Sequence, residues 1–510
     1  MSELDLGAIR APDGYFLTRQ AAQSPFPSEP RDDRSAWAFN STFRDSETTL
    51  RDQVLHLIRT ARRKVFVTSF ILGDNELNKE LTAAADRLGG AVYVISELSE
   101  DRLRRGLEEL ERPARSGEPK LKETVEVEKK RFLSLTTRGV AMRGHDNCHA
   151  KFIVVDDEIA WVGSANLETR AFTFVGEVGV IIRDAIEVNR LARLFARMWL
   201  AECKFELPST ARTYMVDDDR APAPVHFAVP ELTPGPHSGV VWTDQTSHLL
   251  LTNIHDVIAS TRTRLVLASF ILNGMEARPD LLIAPVAMAI EKGVRVDLLL
   301  RAENKRDWHR RDVGLLHRLG VRVVADDLNH AKAVIADDRA AVLFSANFDA
   351  EHGLDAGSGI EVGARLDGTP ALPEMVRYFD HAIATATREY VDQPTARQLH
   401  DRLAEKWQSP WPLADRINVH PQQDAWERLT VAAQDGPVLW CREPGQAMEL
   451  LAGVERFRLG SAKKGVRRLL TLPRNGRSSS ELHEQWWRRP YEHQYDHGYC
   501  PVVLKRSEYG

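Results

Sequence analysis

The chain has 510 residues, of which 43% are hydrophobic and 28% charged, the balance of an ordinary globular protein with material for two to four domains. Its formal net charge of −5 excludes a global basic field, so any contact with a polyanion must come from a local patch. No stretch reaches the ~18–20 uninterrupted apolar residues of a membrane span, and the four cysteines (Cys148, Cys203, Cys441, Cys500) lack Cys-x-x-Cys spacing, which argues for a reducing, cytoplasmic setting.

Residues 1–44 form an N-terminal segment whose opening MSELDLGAIRAPDGYFL has early acidic residues and no apolar core, so no secretory signal is expected. A first half is predicted over 45–205. It opens with an amphipathic helix in DQVLHLIRTA, a strand in RKVFVTSFIL, then a helix and the strand AVYVISEL. A densely charged insertion at about 100–132 follows; its mixed signs suit a solvated helix face or a partner-binding arm. Next comes CHAKFIVVDDEIAWVGSAN, in which His149, Lys151 and Asp156 stand at His-x-Lys-x4-Asp spacing. Alternate residues of a strand share a face, so His149 and Lys151 should project together. FIVV reads as a buried strand, DDEI as the turn and AWVGSAN as a second strand ending in Ser164 and Asn166.

The Pro-rich segment 206–239 is read as a connector. The pattern then repeats over 240–395: helix TNIHDVIAST, strand TRLVLASFIL, strand VRVDLLLR and NHAKAVIADDRAAVLFSAN, with His330, Lys332, Asp337, Ser345 and Asn347. The Ser-Phe-Ile-Leu at 69–72 recurs at 269–272. Repeated strand–helix–strand units predict an α/β fold with a mixed, largely parallel sheet and flanking helices in each half. Two imidazoles and two ammoniums around one small volume suit a tetrahedral anion, with hydroxyl and carboxamide donors for its oxygens.

Residues 396–510 form an extension of unassigned fold. Between Glu455 and Arg489 it carries ten Lys/Arg against three Glu, with Phe457, Trp486 and Trp487 interleaved. Lys463, Lys464, Arg467 and Arg468 are candidate contacts to a nucleic-acid backbone, although a solvated basic surface or a dock for an acidic protein explains the same letters. His483, His493 and His497 lack metal-ligand spacing and are read as surface histidines.

On its two His-x-Lys-x4-Asp motifs the chain resembles the phospholipase D superfamily, over roughly residues 45–395; GSANLETRAFTFVGE, with Glu177 eleven residues after Asn166, carries the likeness furthest. The second copy departs in two places: Phe344 stands where the motif has Gly, and Glu361 follows Asn347 by fourteen residues. The resemblance implies a duplicated phospholipase D-like fold and a phosphodiesterase working through a phosphohistidine, without metal or other cofactor. It implies His149 as nucleophile, His330 as general acid/base, and Lys151, Lys332, Asn166 and Asn347 on the nonbridging oxygens with Ser164 and Ser345 in support. Glu177 and Glu361 would orient the imidazoles, and Asp156 and Asp337 would brace the motif turn. With no export or membrane signal and a basic aromatic stretch, the leading expectation is a cytoplasmic nuclease acting on DNA or RNA. The alternative is a phospholipase D or phosphatidyltransferase acting on phospholipid headgroups at a membrane surface. A non-catalytic scaffold is the third reading.

Overall fold

The computed structural model describes residues 10–22, 35–42, 49–97, 132–207 and 239–395, apart from 174, 246, 356 and 358. It also describes residues 398, 399 and 402 and short strands at Ser2–Asp5, Val216–Asp217, Arg416–His420 and Val438–Trp440. The charged insertion, save Phe132, and the basic stretch holding Lys463, Lys464, Arg467 and Arg468 lie outside the described residues.

The chain divides into two units, Ala21–Thr387 and a second built from Met1–Gln20 with Arg388–Gly510. In the second unit Tyr15–Thr18 pairs antiparallel with Arg388–Val391, and Ser2–Asp5 with Arg416–His420. This pairing puts the first twenty residues in a different unit from Trp37–Ser41, so the expected N-terminal segment 1–44 is divided between the two units.

Within Ala21–Thr387 the duplication is complete. The first sheet runs in the order Trp37–Ser41, Val178–Ile182, Ile159–Gly163, Phe152–Val155, Val65–Ser69, Val92–Glu97, Ala141–His145. The second runs Val240–Thr243, Glu361–Arg365, Ala340–Phe344, Ala333–Ala336, Arg264–Ala268, Arg295–Arg301, Arg322–Asp326, strand for strand the same. In each, only the last three strands are mutually parallel. The others pair antiparallel, so the sheets are mixed but less parallel than expected. The cause is local. A two-residue turn can join only antiparallel neighbours, and the Asp-Asp pair after each motif strand forms one, with φ of 57° and 59° at Asp156 and Asp157 and 49° and 57° at Asp337 and Asp338. Phe205–Leu207 and Val216–Asp217, partly within the predicted connector, extend the edge of the first sheet.

Helix Leu50–Thr60 begins on a capping box between Thr49 and Asp52 and buries Leu50, Val54, Leu57 and Ile58. Together with Asn75–Arg87 it covers one face of the first sheet. The other face meets the second sheet through helices Ala185–Arg197 and Ala371–Thr385 in one continuous apolar core that includes Phe152, Phe195, Val266, Ile335 and Phe379. Each such side chain stabilises the fold by about 1.5–3 kcal/mol through burial. This shared core fixes the two motif-bearing sheets against each other.

Candidate active site

Each motif histidine is placed by the other half of the chain. His149 N–H donates to Ile360 O (3.0 Å) and Ile360 N–H to Asn147 O (3.1 Å). In the same way His330 N–H donates to Gly176 O (2.9 Å) and Gly176 N–H to Leu328 O (2.8 Å). Ile360 and Gly176 immediately precede Glu361 and Glu177, so these bonds carry each carboxylate across to the opposite imidazole. His149 Nδ1 lies 2.5 Å from Glu361 Oε1, and His330 Nδ1 lies 2.6 Å from Glu177 Oε1. The histidines and lysines stand in the extended run just before strands Phe152–Val155 and Ala333–Ala336 rather than within them.

Both lysines are wholly buried. Lys151 Nζ–H donates to His149 O, and Lys332 Nζ–H to His330 O (2.9 Å). Lys332 Nζ also lies 3.2 Å from His330 Nε2. Burial pushes Lys151 down to about 8 and Lys332 to about 7, against the attraction of Glu361 and Glu177. Burial likewise lowers both histidines, His330 to about 4, against the pull of their glutamates. For Glu177 and Glu361 burial acts upward, but the facing imidazole, a lysine and a serine outweigh it and hold both carboxyls below the usual range. An ionised glutamate accepts a hydrogen bond from Nδ1–H of a neutral imidazole, which fixes the tautomer that leaves a lone pair on Nε2. The imidazoles remain reachable: His149 and His330 side chains are 24% and 16% exposed against 1% for each glutamate.

Ser164 and Ser345, expected to help hold substrate oxygens, are committed elsewhere. Ser164 Oγ–H donates to Glu177 Oε2 (2.5 Å) and Ser345 Oγ–H to Glu361 Oε2. Each serine therefore steadies a carboxylate that steadies a histidine in the other half. Asn166 and Asn347 each bury Oδ1 with no hydrogen-bond partner, and with the amide turned over the same position presents N–H donors. Asp156 accepts from the backbone N–H of Arg62 (2.8 Å), Arg63 (2.7 Å) and Lys64 (2.9 Å), and Asp337 from Arg262 (2.8 Å), Thr263 (2.7 Å) and Arg264 (2.8 Å). Seven residues of extended chain, roughly 20 Å, separate each aspartate from its histidine, so both brace the fold and touch no reacting atom.

The two departures of the second motif are compensated. A Cβ on Gly163 would meet Trp161 Cζ2 at 2.4 Å; Val342 stands where Trp161 does in the first half, and the space is filled by buried Phe344. The three extra residues before Glu361 turn at Gly353 (φ +84°), where a Cβ would lie 2.4 Å from Glu361 Cγ.

The repeated Ser-Phe-Ile-Leu, a mark of duplication in the sequence, also builds the site. Phe70 packs edge-on to His149 with ring centroids 5.0 Å apart, and Phe270 lies 5.1 Å from His330. Ser69 Oγ accepts from Leu167 N–H (3.1 Å) and Ser269 Oγ from Phe348 N–H (3.2 Å), tying down the residues next to Asn166 and Asn347. The signal was in the sequence: two polar-aromatic pairs at the ends of matching strands.

Residues 54–199 match the profile of a family described as "Cardiolipin synthase, PLD-like domain". The chain is 34% identical over 87 residues to cardiolipin synthase 2 of Staphylococcus epidermidis (17% of each chain), and 41% identical over 73 residues to the major cardiolipin synthase ClsA of Bacillus subtilis (14% of this chain, 15% of that one). It thus matches about a sixth of the length of these curated relatives. A solved structure, phosphatidylserine synthase of Haemophilus influenzae Rd KW20, aligns over 76% of this chain and 90% of its own at 14% identity and a TM-score of 0.48. The matches to cardiolipin synthases overturn the expectation of a nuclease, because those relatives are named for phospholipid synthesis. With two His-x-Lys-x4-Asp motifs, crossed histidine–glutamate pairs and a matching family profile, the chain belongs to the phospholipase D superfamily.

Proposed function

We propose that this protein is a phosphatidyltransferase that exchanges the headgroup alcohol of phospholipids through a phosphohistidine. The observation that carries the reading is the crossed arrangement itself. It prepares two imidazoles with Nδ1 bound by carboxylates and two buried lysines beside them, the groups that two successive displacements at one phosphorus require. The match to cardiolipin synthases supports a phospholipid as the diester.

His149 Nε2 attacks phosphorus, the bond from phosphorus to the headgroup oxygen breaks, and His330 donates the proton that this oxygen takes up. The neutral His330 then removes a proton from an incoming alcohol, whose oxygen attacks phosphorus as the bond to His149 breaks. The more complete first motif supports this division of roles. Lys151 and Lys332 neutralise the nonbridging oxygens, and Asn166 and Asn347 complete their hydrogen bonds. The two carboxylates and two ammoniums balance until an anion enters, and its negative charge then favours the protonated lysines and histidine.

Among the described residues no helix is long and apolar enough to cross a membrane, so substrate presented in vesicles is the natural test. Phosphatidylglycerol vesicles should release glycerol and form a product bearing two phosphatidyl groups, and His149→Ala should abolish both. Absence of any phospholipid turnover by the intact chain would overturn the reading.

A further inference from the structure

The two halves differ in charge at one matched place beside the site. Register equates Val92–Glu97 with Arg295–Arg301: Thr68 pairs with Ile95 and Ala268 with Leu299, so Glu97 and Arg301 occupy the same strand position. The neighbouring strand is inverted as well, with Glu97 opposite His145 and Arg301 opposite Asp326. A site that only gripped the scissile phosphate, lying between two equivalent motifs, would give no reason for this reversal.

Arg301 sits close to His330. Its guanidinium carbon lies 4.5 Å from the centroid of the Phe270 ring, which itself lies 5.1 Å from the His330 ring. Arg301 Nε–H donates to the carbonyl of Asn329, the residue before His330, at 3.1 Å. Its terminal Nη2 is buried without a hydrogen-bond partner, a rare condition for a guanidinium nitrogen. Arg306 lies over the same Phe270 ring at 5.4 Å, and Arg170 is close enough to repel Arg301. Glu303 attracts Arg301 more strongly than Glu177 does, but it also lies 3.9 Å from Arg306 Nε, and the oxygens of Glu177 are already taken by His330 and Ser164.

We propose that Arg301 forms a second oxyanion-binding subsite beside His330, which receives a phosphate or carboxylate carried by the alcohol that leaves from, or enters at, the scissile phosphorus. The inference rests on the headgroup-exchange reading and narrows it: the alcohol is itself acidic, and it lies on the His330 side, where the proton is exchanged. A planar guanidinium offers paired donors to such a group. Arg301 also disfavours the protonated form of His330. An anion bound at Arg301 offsets that repulsion and readies His330 as an acid when an acidic alcohol is in place.

The test measures transfer from one phosphatidyl donor to three acceptors: glycerol, soluble glycerol 3-phosphate, and a phosphatidylglycerol acceptor in the same vesicles. The wild type should favour the acidic acceptors, and the two of them distinguish a soluble phosphate from a lipid-anchored one. In Arg301→Gln the preference for acidic over neutral acceptor should fall about tenfold or more, the worth of a charge-assisted hydrogen bond. Arg301→Lys, which keeps the charge without the fork, should retain part of it and guards against a folding defect. An equal loss on all three acceptors, or no wild-type preference, would overturn the subsite while leaving phosphatidyl transfer standing. A chain that turns over no phospholipid at all overturns both.

Discussion

His149 Nδ1 and Glu361 Oε1 lie 2.5 Å apart although 212 residues separate them in the chain. The reciprocal contact joins His330 to Glu177 across 153 residues. Neither half therefore holds a complete histidine–carboxylate pair of its own, and the site exists only when both halves fold together.

This crossing gives the two glutamates different consequences. Glu361→Gln should disable the attacking histidine, and slow cleavage by about 10²–10⁴-fold whatever the leaving group. Glu177→Gln acts on the proton donor, so its penalty should be large for a glycerol leaving group and small for p-nitrophenol, which departs without help. Values of kcat/KM on matched phosphatidyl esters, which report the first displacement only, check this; equal penalties on both substrates would contradict the assigned roles.

The serine contacts make a milder version of the same pattern. Ser164→Ala should behave as a weak Glu177→Gln and Ser345→Ala as a weak Glu361→Gln, each at about tenfold for one lost hydrogen bond to a charged group. A serine that held substrate would instead raise KM in both variants without regard to leaving group.

The pH profile follows from the buried bases. His149 must be neutral to attack, and burial lowers it, so kcat/KM should rise with pH through a limb below the ordinary histidine range. Lys151 and Lys332 must be protonated, and they stand at about 8 and about 7, so on a p-nitrophenyl phosphatidyl ester, whose leaving group needs no proton from His330, kcat/KM should decline above neutrality. Lys332→Arg should extend the alkaline limb in whatever activity it keeps. A profile flat to pH 10 would contradict the role given to the lysines.

The Asp337 brace should appear in stability and not in chemistry. Partial burial acts to raise its carboxyl, but hydrogen bonds from Arg264 N–H, Arg339 and Thr263 outweigh it and hold it well below the usual range. A depressed carboxyl contributes stability that is present above its unfolded value, about 3.9, and is lost as pH falls below it. Asp337→Ala should therefore lower stability at pH 7 by about 1–3 kcal/mol and flatten the acid limb of a denaturation series, while the turnover of folded enzyme stays within a few-fold.

Much of this site was legible in the chain because its parts are local. His-x-Lys-x4-Asp, the Asp-Asp turn and the Ser-x-Asn ending each lie within one hairpin, and period-two patterning fixes their order. The glutamates could be named from their spacing, but not their partners, since the crossing is made by backbone bridges at Ile360 and Gly176 between halves. The parallel share of each sheet was overestimated because the hairpin after the motif counts for more than the helical crossovers before it. The role of Arg301 was hidden in register: only the pairing of Ala268 with Leu299 reveals that it stands where the first half has Glu97.

The most direct measurement is intact-protein mass after rapid quenching during turnover of a phosphatidylglycerol of defined acyl chains. The protein should gain one phosphatidyl group, held by an acid-labile P–N bond, and peptide mapping should place it on His149. His330→Ala should accumulate the adduct on p-nitrophenyl phosphatidyl ester, because departure of that group needs no acid while the second step lacks its base. An adduct mapped to His330, or turnover of phospholipid with no adduct in either protein, would contradict the account.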